Sequence, residues 1–217
     1  MCVWAAGWVR LEMSVQSGVP TPLSASSLGQ ALFAKSEKVS AELLSLTYGA
    51  VVAQVLEDCR GDVASANGVL ERMGYNIGVR LVDEFLARSR IARCAGLAET
   101  AEAVAKVGFK MYLGVAAQVG RWSEDGKAFS LMLEDTPLTE LVELPPAESL
   151  GGQLAYLSLV AGAVRGALEM VNLRVEVTFA QDLLLPLQGG DRVFEFRVRV
   201  LEALDDAFPK SLEEDND

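Results

Sequence analysis

The chain has 217 residues, 51% of them hydrophobic, and a net charge of −11 from 19 Lys and Arg against 30 Asp and Glu. That balance excludes a typical nucleic-acid binder, whose affinity rests on neutralising phosphates. There is no histidine, and the cysteines Cys2, Cys59 and Cys94 are widely spaced, so no imidazole catalysis, no metal site and no disulfide framework is expected, and a reducing compartment fits.

Residues 1–38 read as a poorly ordered arm, because 14–27 is rich in Ser, Pro and Gly. The apolar opening MCVWAAGWVRLEM lacks a basic start and a small-residue cleavage site, and position 2 is not Gly. Neither a signal peptide nor a myristoyl anchor is expected, and Met13 is an alternative start. The folded domain is read as 39–204, followed by an acidic tail over 205–217.

Ser40 is the expected cap of a first helix, with Glu42 in its first turn where the helix dipole favours an acid. Leu43, Leu46, Ala50 and Leu56 give it helical spacing, and Gly61 is its expected C-terminal stop. Asp62 caps a second helix running to about residue 88. That helix has two apolar faces. One carries Leu70, Met73, Ile77, Leu81 and Phe85; the other carries Tyr75, Val79, Val82 and Leu86. A surface helix needs only one, so the second meets either another layer of the domain or a second chain. Gly74 and Gly78, one turn apart, each cost about 1 kcal/mol in a helix interior and point to close approach of another backbone. The between-chain reading is preferred, with Tyr75, Val79, Val82, Leu86, Gly74 and Gly78 as its interface, or else the opposite apolar face.

A third helix is expected over 97–113, with Leu97, Ala101, Val104, Gly108 and Met111 as its buried line. Its many small residues allow tight packing or leave room for a ligand. The period then changes. Residues 124–127 carry the Asp-Gly pair of a turn, and Phe129, Leu131 and Leu133 alternate with Ser130, Met132 and Glu134. Residues 141–144 suggest a further short extended piece. The apolar run 152–171 is too short before Arg165 for a bilayer span, which needs about 20 residues, and reads as a central core helix. Two strands close the pattern, with Leu173, Val175, Val177 and Phe179 in one and Phe194, Phe196, Val198 and Val200 in the other. One apolar face per strand predicts an α+β fold, with a sheet covered on one side by helices.

The segments TYGAVVAQ (47–54), MGYNIGVRLVDEFLARS (73–89), RC (93–94), ETAEAVAKVGFKMYLG (99–114), FSLMLEDTPL (129–138), VELP (142–145) and RGALEMV (165–171) resemble the Bet-three subunits of the transport protein particle (TRAPP) complex. The resemblance runs in order over about 40–200. It implies helices packed on one face of a twisted antiparallel sheet, and a non-enzymatic core subunit that pairs with other TRAPP small subunits, or with itself, through its first two helices. It further implies vesicle tethering between endoplasmic reticulum and Golgi, and nucleotide exchange on a Rab-type GTPase by the assembled complex. A cytoplasmic protein, peripheral at those membranes, follows. The family's palmitoylated cysteine corresponds to Cys94, and its acyl tunnel to the third helix, with Gly108, Val104 and Ala101 as lining. Arg93, Lys106 and Lys110 correspond to a surface facing the membrane.

The chain departs from the family's animal members at Ala92, where they carry glycine, at Gly108, where they carry alanine, and in a longer loop around 184–187. Read from the residues alone, Cys94 is a small buried hydrophobe, with Arg93 beside it to favour the thiolate. Two alternatives to the TRAPP role stay open: a stand-alone acyl-ligand or small-molecule binding protein of the related vinyl-reductase-like fold group, and a cysteine enzyme using Cys94. The absence of histidine weighs against the enzyme.

Overall fold

The structure, a computed structural model, describes residues 24–91, 93–134, 136–142, 154–180 and 193–204. The acidic tail, the loop around 184–187 and residues 1–23 of the expected arm lie outside the described residues.

The first element corrects the reading of the arm. Helix α1 (Ala25–Lys35) begins at Ser24, whose hydroxyl accepts from the Ser27 amide at 3.3 Å. The same small polar residues that suggested disorder supply a helix cap here. Helix α2 (Ala41–Asp58) starts on Ser40, which accepts from the Leu43 amide at 3.2 Å. It ends through two left-handed residues, Arg60 (φ 55°) and Gly61 (φ 79°), rather than at Gly61 alone. Helix α3 (Val63–Ser89) is capped by Asp62, as its sequence predicts, and stops at Arg90 (φ 52°).

The next helix, α4, is not uniform. It is α-helical over Leu97–Glu102, π-helical over Ala103–Gly108 and α-helical again over Phe109–Leu113. A π turn inserts one residue into the helical register. The stripe predicted from uniform spacing is therefore broken: Ala101 is fully buried in the core, while Val104 and Gly108, beyond it, are half-buried. Helix α5 (Ser158–Met170) forms the later part of the apolar run.

The backbones of α3 and α5 approach each other closely, and this corrects the reading of the glycine pair. A Cβ built on Gly74 would lie 1.9 Å from the Leu159 carbonyl oxygen, and one on Gly78 would lie 2.0 Å from that of Ala163. The relation is mutual: Cβ atoms on Gly162 and Gly166 would lie 2.0 Å and 2.3 Å from the carbonyl oxygens of Glu71 and Tyr75. Only glycine permits the two helices to approach so closely, and the partner backbone belongs to the same chain. Arg165 pins the seam from the side, 2.6 Å from Glu71 and with its guanidinium 4.5 Å over the Tyr75 ring. Val82 is buried as well, so of the face assigned to a second chain Leu86 is the largely exposed member, at 42%.

Four antiparallel strands, β1 (Gln118–Gly120), β2 (Ala128–Leu133), β3 (Leu173–Ala180) and β4 (Phe194–Ala203), form one sheet in the order β1-β2-β4-β3. β1 was not expected from the sequence; of the extended piece suggested at 141–144, residue 141 ends a turn, 142 lies in no strand, and 143–144 lie outside the described residues. Residue 131 stands opposite 196, and 177 opposite 198. That register stacks Phe129, Leu131, Phe196, Val198, Leu173 and Val175 under the helices. The predicted α+β architecture is the one observed. On the other face Glu195, buried between strands, is neutralised by Arg121 at 2.6 Å.

Candidate functional site

The helical layer is not filled. A cavity of about 990 Å³ lies among α2, α3, α4 and α5, at the upper end of the range for small-molecule sites. Its walls include Leu44 and Val51 from α2, Ile77, Leu81 and Phe85 from α3, and Leu159, Ala163 and Ala167 from α5. Hydroxyls that reach the wall are already engaged. Tyr48 donates to the Tyr156 carbonyl, Tyr112 to that of Leu81 at 3.0 Å, and Thr100 to that of Gly96 at 3.1 Å. Burial pushes the Tyr112 phenol up to about 12. The surface left to a ligand is therefore almost wholly apolar, and such a space suits a hydrocarbon chain.

Cys94 lines this cavity and is half-buried. It sits in the short link between α3 and α4, and the Glu99 carboxylate fixes that link by accepting from the Ala95 amide at 2.6 Å. Burial pushes the Cys94 thiol up; the polar side chain of Thr100 beside it opposes this, and the Glu99 charge adds to it. The expectation that Arg93 would favour the thiolate is thus overturned: loss of hydration by the sulfur governs its ionisation.

Of the residues assigned to the tunnel, Val104 and Gly108 line the cavity and Ala101 does not. The helix line missed Ala103, Phe109 and Tyr112, which also line it; for Phe109 and Tyr112 the reason is the π turn, which rotates the residues that follow. A Cβ on Gly108 would meet nothing closer than 3.9 Å, so this glycine borders open space rather than a tight contact. Arg93 is exposed at the cavity, whereas Lys110 is held within the chain, its ammonium 2.6 Å from the Gly114 carbonyl and 5.1 Å from the centre of the Phe33 ring. Among the described residues no group of acidic, histidine or cysteine side chains is arranged to hold a metal ion, and no helix is long and apolar enough to cross a membrane.

The open apolar surface lies on α2 and on the face of α3 opposite Tyr75, Val79 and Val82. Leu43 and Leu46 on α2 are 63% and 60% exposed, and Met73 and Ile77 on α3 are 40% and 42% exposed. Ile77 belongs both to this surface and to the cavity wall.

These features define an α+β protein whose helical layer borders an apolar space of about 990 Å³ beside a free cysteine. The family model for the transport protein particle (TRAPP) component matches residues 44–199. Trafficking protein particle complex subunit 3 of Dictyostelium discoideum is 47% identical over 84% of this chain and 94% of its own length. Transport protein particle subunit bet3 of Schizosaccharomyces pombe is 42% identical over 86% of this chain and 98% of its own length. A solved structure of a subunit 3 from Naegleria fowleri, covalently bound to palmitic acid, is 44% identical and superposes with a TM-score of 0.68, covering 77% of this chain and 98% of that one. The chain belongs to the TRAPP component family.

Proposed function

We infer that this protein is a non-enzymatic core subunit of a TRAPP complex that carries an acyl chain on Cys94, with the chain lying in the cavity between the helices. The observation that carries the reading is the juxtaposition of Cys94 with about 990 Å³ of apolar space. The palmitate-bound, 44%-identical neighbour supports the same assignment. A saturated chain gains about 0.8 kcal/mol for each methylene removed from water, so the cavity would hold it without any polar contact. A palmitoyl thioester is the expected adduct.

The exposed residues Leu43, Leu46, Met73 and Ile77 make the first two helices of the matched region the face for another TRAPP small subunit or a second copy. Tethering of vesicles between endoplasmic reticulum and Golgi, and exchange on a Rab-type GTPase, belong on this reading to the assembled complex. The chain would be cytoplasmic and peripheral at those membranes, with Arg93 and Lys106 towards the lipid surface.

Intact mass spectrometry of protein purified from a eukaryotic host tests the acyl assignment. A palmitoyl increment localised to Cys94 by peptide mapping is expected. Unmodified Cys94, together with failure of the ligand-free chain to take up a palmitoyl thioester, would refute it.

A further inference from the structure

We propose that α1 is a clamp on the π turn of α4, and that its docking sets the shape of the cavity wall and so the grip on an acyl chain. The consequence for the chain rests on the acyl reading above; the clamp itself rests on packing.

The two sides of the π turn have different neighbours. On one side Ala103, Val104 and Gly108 line the cavity. On the other, α1 lies directly against the backbone. A Cβ on Gly29 would be 2.2 Å from the Lys106 carbonyl oxygen and 3.2 Å from Lys110 Cβ. Gly29 is the one buried residue of α1, so the helix meets the turn at its narrowest point. One helical turn further on, Phe33 lies 3.2 Å from where a Cβ on Gly114 would be. The ammonium groups of Lys38 and Lys110 stand 4.8 Å and 5.1 Å from its ring centre. The end of α1 is tied to α3 through Arg88, which donates to the Ser36 hydroxyl at 3.3 Å.

A π turn is rarer than α-helix and concentrates at functional sites. It is held here by contacts outside its own ladder: α1 against Lys106, and the Ala117 amide donating to the Ala105 carbonyl at 3.0 Å. Removing one inserted residue would rotate the parts before and after the turn by about 100° relative to each other. Thr100 before the turn, and Phe109 and Tyr112 after it, share the cavity wall only in the π register. Docking of α1 and filling of the cavity then favour the same register. Each strengthens the other, as linkage requires.

The test compares full-length wild type with Gly29→Leu, which places a side chain into the Lys106 carbonyl, and Phe33→Ala, which removes the ring without adding a clash. The first measurement is amide hydrogen exchange without ligand. Both variants are expected to exchange about tenfold faster over residues 104–109 while 158–170 keeps its protection. If α1 loses protection in Phe33→Ala and 104–109 does not change, the clamp is refuted, whatever the cavity binds. If Gly29→Leu fails to fold, Phe33→Ala decides alone. The second measurement is binding of cis-parinaric acid in the Cys94→Ser background, where no thioester forms. Affinity reduced about tenfold when α1 is released supports the coupling; equal affinity overturns it. A chain without either α1 substitution that binds no fatty acid refutes the acyl reading instead, and ligand-free exchange still decides the clamp.

Discussion

The same substitution at two positions of α3 should change stability in opposite directions. At Gly68 nothing lies within 4 Å of an added Cβ, so alanine brings only its better helix propensity, about 1 kcal/mol. For a chain of this size that raises Tm by about 2–4 °C. At Gly78 the added Cβ falls 2.0 Å from the Ala163 carbonyl oxygen, 2.8 Å from its carbonyl carbon and 2.9 Å from its Cα. All three atoms are backbone, so no rotamer change relieves the clash and the helices must part by roughly 1 Å or more to regain ordinary separation. Overpacking of this kind costs about 1–3 kcal/mol. Each weak Cα–H···O hydrogen bond broken as the seam opens adds about 0.5–1 kcal/mol. Against a propensity gain of about 1 kcal/mol, Gly78→Ala should cost about 1–3 kcal/mol and lower Tm by about 3–10 °C. Thermal melts and urea midpoints of the two variants and wild type measure both signs together. Stabilisation by Gly78→Ala comparable to that of Gly68→Ala would refute the backbone seam between α3 and α5. A destabilisation that depends on protein concentration would return the glycine pair to an interface between chains.

Other outcomes follow from the cavity and the open helical face. Gly108→Leu should fill the space beside Cys94 and abolish acyl occupancy while Tm stays within about 2 °C, because its Cβ has 3.9 Å of clearance; intact mass and a melt read both. Cys94→Ser should remove the acyl mass and leave the fold intact, checked by circular dichroism. Alkylation of ligand-free Cys94 by iodoacetamide should rise with pH through a midpoint above that of the same thiol in an unfolded peptide, since burial pushes it up. By linkage, stability present below the unfolded thiol's pKa is lost as pH climbs through the folded one. Leu46→Asp, on the open side of α2, should weaken association with a partner subunit or second copy in sedimentation at micromolar concentration, while Val79→Asp, on the largely covered side of α3, should act mainly on folding.

Much of this architecture is local and was legible in the sequence. Ser40 and Asp62 announce their helices because an N-cap acts within three residues. The alternation in β3 states which side is buried, because successive side chains point to opposite faces of a sheet, whereas in β2 Ser130 and in β4 Glu195, on the polar side of the pattern, are buried too. Helix α1 was hidden because its stability comes from Lys106 and Gly114, far along the chain. Strand β1 has three residues and exists only through pairing with β2. Periodicity found two apolar faces on α3 but not their partners: Gly74 meets a backbone 85 residues away, at Leu159. The cavity was the least legible feature. Small side chains in a helix serve tight packing and open space equally, and at Gly74 and Gly108 the chain uses one for each.

The strand order also governs how molecules of this kind add to one another. A sheet edge offers unpaired amides and carbonyls to any passing strand. Here β1 closes one edge with a pairing of three residues, and among the described residues nothing pairs with the outer side of β3. That second edge is irregular and charged. Its ladder slips between Arg174 and Val175, and Arg174 and Glu176 project from it into solvent. A bulge bends and twists a strand locally, and alternating charges resist the dry stacking that fibres need. Growth of the sheet from molecule to molecule is disfavoured at both ends. The apolar surface open to another molecule is instead on the helices, at Leu43, Leu46, Met73 and Ile77.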